Sequence, residues 1–116
     1  MSVATPIDIN ALIGDITKAA TDQIGKDLTT LAGFSQIQVE GLARQAQLIA
    51  GALASGHLSD ADRDFFLSDL KRTARDFANV LVGLALVDIE KVWNSAVTTL
   101  WDAIGKAAQV VLPKPF

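Results

Sequence analysis

The chain of 116 residues has no cysteine, one histidine, two glutamates (Glu40 and Glu90) and no proline between residues 7 and 112. Without cysteine there is no disulfide, no thiolate metal site and no cysteine nucleophile. A general base shares its site with another polar group, and a metal takes several ligands. His57, alone between Gly56 and Leu58, therefore reads as an exposed turn residue. Carboxylate-bridged metal bundles need Glu-x-x-His pairs, and neither glutamate is followed by one. No Gly-rich phosphate loop, G-x-S-x-G elbow or HExxH occurs. Asp60, Asp62 and Asp64 have the spacing that opens a calcium loop, but the sixth and twelfth places hold Phe65 and Lys71 instead of glycine and an acid. The expectation is a protein that is not an enzyme, with no catalytic residues, cofactor or metal.

Clustered positive charge is also missing. Ten Lys and Arg stand against 13 Asp and Glu, for a net charge of −3, and the densest basic group is Lys71-Arg72 with Arg75 one turn on. Binding to a phosphate backbone needs a basic stripe, so nucleic acid is excluded as an expected partner. No long hydrophobic run is present. The longest, Val80 to Val87, would rise only about 12 Å as helix against the roughly 30 Å of a bilayer core. Met1 to Ile7 has neither a basic n-region nor an apolar h-region, so no secretory signal is read there and the expected location is the cytoplasm or a particle interior.

What the sequence does have is helical rhythm almost from end to end, with half of its residues apolar. One domain of about this length is typical, so residues 1–116 are read as a single helical domain. Ile9, Leu12, Ile13, Ile16, Ala20, Ile24, Leu28 and Leu31 share one face after a cap at Asp8. A kink or break is predicted at Gly33–Ser35, where Ser35 and Gln38 fit a capping box and Phe34 with Val39 a hydrophobic staple. A second segment follows from about Gln36 to Ala54. The hinge at Ser55–Ser59 comes next, and Ser59 with Asp60 and Asp62 gives the best-marked helix start in the chain. Farther on, Asp69 with Arg72 and Arg72 with Asp76 have pairing distance on a solvated face.

From Asp60 to Val111 the rhythm runs unbroken by proline. It predicts either one long helix or two, the interruption falling near Gly83–Asp88 with Asp88 as a cap. The fold class is therefore all-α: an antiparallel hairpin or a bundle of three to four helices. Phe77 to Val87 is apolar on nearly every side, which predicts a helix surrounded by neighbours. The stripe from Ile89 to Ala107 covers about half of its wheel, with Trp101 at its edge, and Leu112-Pro113-Lys114-Pro115-Phe116 stops the helix.

This apolar surplus exceeds what one hairpin buries, and it predicts a homo-oligomer or a part docked on a larger assembly. The expected contact surface is Phe77, Leu81, Leu84, Leu86, Trp93, Val97, Leu100, Trp101 and Ile104. The matching function is a self-associating structural or scaffolding protein, a virion component or part of a bacterial multiprotein assembly. The alternative is a bundle that opens on a membrane, with Ser95, Thr98 and Thr99 lining a wet lumen. The balanced charges of Glu90, Lys91, Asp102 and Lys106 weigh against lipid as the partner.

Overall fold

The computed structural model describes residues 6–116, so the reading of the first five residues lies outside them. Among the described residues there are four α-helices and no strand: α1 (Ile9–Ile24), α2 (Gln36–Ala54), α3 (Asp60–Asn79) and α4 (Leu86–Ala108), with a 3-10 turn at Leu28–Thr30. They run up, down, up and down, in a body of 47 × 25 × 20 Å. The start of α1 (Asp8 to Asp15) borders the end of α4 (Ala103 to Ala107), and Ile7 borders the end of α2. The fourth helix packs on all three others and is the spine of the bundle.

Three of the four helix starts are capped by the residues the sequence marks. Asp8 accepts the Ala11 N–H at 3.1 Å, Ser35 the Gln38 N–H at 3.3 Å and Ser59 the Asp62 N–H at 3.1 Å. Each satisfies a donor that the first helical turn leaves open. The aspartates that mimic a calcium loop belong to the start of α3, where Arg63 pairs with Asp60 and Asp64. At the hinge, His57 N–H donates to the Ala52 carbonyl and Gly56 N–H to that of Leu53, the paired bonds of a Schellman ending. Replacing Ser59 by alanine is expected to lower stability by about 1 kcal/mol, as read by urea denaturation followed by circular dichroism.

Two boundaries differ from the sequence reading. The first helix stops at Ile24, nine residues before Gly33. Gly25 is left-handed (φ 70°) and its N–H closes on the Thr21 carbonyl at 2.9 Å. The Asp27 carboxylate accepts the Thr29 N–H and the Thr21 hydroxyl accepts that of Leu28, so local side chains take over bonds that a longer helix would make. Leu28 still reaches the core, where it is fully buried. Its spacing fits a helical face and a turn equally well, so the pattern carries past the true end.

The long C-terminal segment is broken as expected near Gly83, but the loop spans residues 80 to 85 and so begins three residues before Gly83. This overturns the reading of Phe77 to Val87 as an enclosed helix. A single helix of about 50 residues would measure roughly 75 Å, far beyond the 47 Å of the body. Breaking it returns α4 to the bundle. Asp88 sits inside the first turn of α4 instead of capping it, next to Lys91 at 3.9 Å, and Ala85 holds the cap position with no side-chain bond. The break is held by a bond between loops: Val82 N–H donates to the Ala32 carbonyl at 2.8 Å. Gly33 (φ 85°) lies against Val80, where a Cβ would come within 1.9 Å of the Val80 carbonyl oxygen, so only glycine fits.

The core is wholly apolar. Leu12, Ile16, Leu42, Leu70, Phe77 and Leu100 are among its larger members, and among the described residues no polar or charged side chain is buried. Phe34 from the first loop meets Phe77 edge to face at 6.1 Å between centroids, so it joins the core instead of only framing the start of α2.

Candidate interaction surfaces

Two features could carry contacts: an apolar end and a folded-back segment. At one end of the bundle, the loop between α1 and α2 meets the loop between α3 and α4 through the Val82–Ala32 and Gly33–Val80 contacts. Beside Val80, the side chains of Val82, Leu86 and Val87 are 60%, 66% and 61% exposed, and Ile37 in the first turn of α2 is bare at the same end. Leu81 and Leu84 are the inward members of this stretch, the first buried and the second half-buried. Single exposed apolar residues are ordinary on any protein. Val82, Leu86 and Val87 are close in sequence and all stand open.

The second feature begins where α4 ends. Gln109 takes left-handed angles (φ 57°, ψ 44°), with its N–H on the Gly105 carbonyl. Gly105 also accepts the Val110 N–H at 3.1 Å. The chain then doubles back along α4 toward α3. The Trp101 Nε1–H donates to the Pro113 carbonyl at 3.0 Å, and the Lys71 ammonium donates to the Pro115 carbonyl at 2.7 Å. Phe116 meets Trp93 edge to face at 4.9 Å and lies under the Lys71 ammonium at 5.2 Å. Trp93 is itself fixed by its Nε1–H, which donates to the Lys71 carbonyl at 2.9 Å, and by the Arg75 guanidinium, 4.8 Å from its ring centre. Arg75 also lies 3.9 Å from Glu90. Residues 112 to 116 thus form a strap in a groove between α3 and α4.

These placements redistribute the nine residues read as a contact surface. Phe77, Leu81, Val97, Leu100, Trp101 and Ile104 are buried by the chain's own helices, Leu84 and Trp93 are half-buried, and only Leu86 stands open. The reason is the loop at residues 80 to 85. By letting α4 fold back, it gives the wide stripe three helices and a strap to cover it, which a hairpin could not supply. The strap itself carries a signal that the sequence reading took only as a helix stop. The Trp101 indole N–H, at the margin of a buried stripe, needs an acceptor, and Pro113 downstream supplies a carbonyl with no N–H of its own.

Elsewhere the surface offers little chemistry. Among the described residues no group of three or more His, Asp or Glu side chains is placed to hold a metal ion. His57 Nδ1 lies 3.1 Å from the Ser55 hydroxyl in the exposed hinge. Ser95 and Thr99 turn their hydroxyls onto backbone carbonyls of their own helix, at Val92 and Ser95. They border an open groove with Asp22, Gln23 and Lys91. No helix among the described residues is long and apolar enough to cross a membrane. Comparison with protein-family models, with curated proteins and with solved structures finds no match for this chain.

Proposed function

We propose that this protein is a non-enzymatic helical building part that self-associates or docks within a larger assembly, of the kind found in phage particles and bacterial multiprotein complexes. The observation that carries the reading is the apolar end at Val80, Val82, Leu86 and Val87, exposed beside Ile37; Leu48, Phe65, Phe66, Val110, Val111 and Phe116 are the other large apolar side chains that stand open. Burying apolar surface is worth about 25 cal/mol per Å², and four such side chains facing another apolar patch give association a driving force that a polar end lacks.

Light scattering coupled to size exclusion, run from about 1 to 100 μM (a span in which even micromolar affinities register), tests the reading. The expected result is a mass above the 12.3 kDa of one chain that rises with concentration. A constant single-chain mass would count against it.

A membrane role is the second reading, favoured by the same exposed valines and leucine. Flotation with neutral and anionic liposomes, combined with dye leakage, separates the two. Self-association alone leaves the protein at the bottom of the gradient and the dye inside.

A further inference from the structure

We infer that the groove between α3 and α4 is a docking site for the strap of a second copy, so that two chains exchange residues 112 to 116 reciprocally. This rests on the self-association proposed above and names a surface for it. The groove receives a segment that carries Pro113, Pro115 and the ring of Phe116, the last still 59% exposed. The Trp101 indole and the Lys71 ammonium read two carbonyls, those of Pro113 and Pro115, while Trp93 and Lys71 hold the Phe116 ring from two directions. Aromatic-lined grooves are a recurring way of binding proline-rich segments, because such a segment has little conformational freedom left to lose. The ligand seated here belongs to the same chain, so a second copy brings the same chemistry without a new contact.

The hinge supplies the reason to exchange. In the closed form Gln109 pays for a left-handed backbone, Val110 is partly exposed and Val111 is 96% exposed. A non-glycine residue in that conformation is penalised, because its Cβ crowds the following carbonyl oxygen. If residues 109 to 111 continue α4, the cost disappears and the helix lengthens by about 4.5 Å, up to the position before Pro113 where proline forbids more. The strap then points away from its own groove, along the α4 axis. In a two-fold pair each strap reaches the partner's groove, an isologous arrangement that closes on itself. Short strained hinges are the usual setting for such swaps.

The native chain has no cysteine, which makes the test direct. Ser68 and Lys114 both border the strap groove and are exposed, one on α3 and one on the strap. Full-length Ser68→Cys carrying an affinity tag is mixed with untagged Lys114→Cys, incubated at high concentration, diluted and treated with a short bis-maleimide. Exchange is expected to give a tagged-to-untagged product several-fold above that of either homotypic mixture. Adding Gln109→Gly to both chains relieves the closed hinge and weakens the helical one, and is expected to reduce that product at least about fivefold. A heterotypic yield no greater than the homotypic controls overturns the exchange. If the wild-type chain is nevertheless larger than one copy by light scattering, self-association stands without the strap; if it has a single-chain mass, both fall together. Heterotypic excess that survives Val82→Lys with Leu86→Lys supports the strap as the partner surface independently of the apolar end.

Discussion

Replacing Phe77 with alanine is expected to cost about 3 to 5 kcal/mol of folding stability, the range for removing a large ring from a packed core. Phe77 is 1% exposed and sits where the end of α3 meets the first loop through its edge-to-face contact with Phe34. Truncation removes the ring's transfer energy and leaves a cavity that the neighbouring loops can only partly close. Small domains have about 5 to 15 kcal/mol in total, so the variant should be largely unfolded in modest urea. Urea denaturation followed by circular dichroism measures the loss. Phe77→Leu, which keeps most of the volume, should lose markedly less. Equal losses for the two substitutions would mean that the ring does not fill the space described here.

Replacing Gly33 with alanine is expected to destabilise by about 2 to 4 kcal/mol, although it adds only one methyl group. Two costs combine. The left-handed backbone penalises any Cβ, and this Cβ would stand 1.9 Å from the Val80 carbonyl oxygen, a backbone atom with no rotamer to escape into. Gly56→Ala is the natural control. Gly56 is also left-handed (φ 73°), but a Cβ there meets nothing within 4 Å, so only the conformational cost of about 1 kcal/mol should appear. The difference between the two variants isolates the contact between loops. Because Val82 is hydrogen-bonded to Ala32 beside this contact, Gly33→Ala should also speed amide exchange at Val82.

Much of the fold was legible from local chemistry. Asp8, Ser35 and Ser59 cap the helices they were assigned to, and Ser55–Ser59 is the hinge, because caps and turns are decided within a few residues. The two boundaries that shifted did so for different reasons, one local and one distant in sequence. The end of α1 at Ile24 was masked because Leu28 and Leu31 keep the rhythm beyond it. The break at residues 80 to 85 had weak local marks, since what fixes it is a hydrogen bond from Val82 to a residue fifty positions earlier. What covers each face of α4 was not legible for the same reason. An apolar stripe tells which side of α4 is buried but not by what, and here Val97, Leu100 and Ile104 are covered by the chain itself. The exposed end at Val82 and Leu86 is what the same composition leaves over once α4 has folded back.

Sedimentation velocity of the wild-type chain beside Val82→Lys/Leu86→Lys at matched concentrations tests the central claim most directly. Both positions are exposed, so the double variant should keep its stability to within about 0.5 kcal/mol per site and its helical circular dichroism. The expected result is a concentration-dependent species larger than one chain for the wild type, shifted toward the single chain in the variant. A wild-type boundary that remains at one chain throughout, or an assembly that the two lysines leave unchanged, would contradict an association driven by this end.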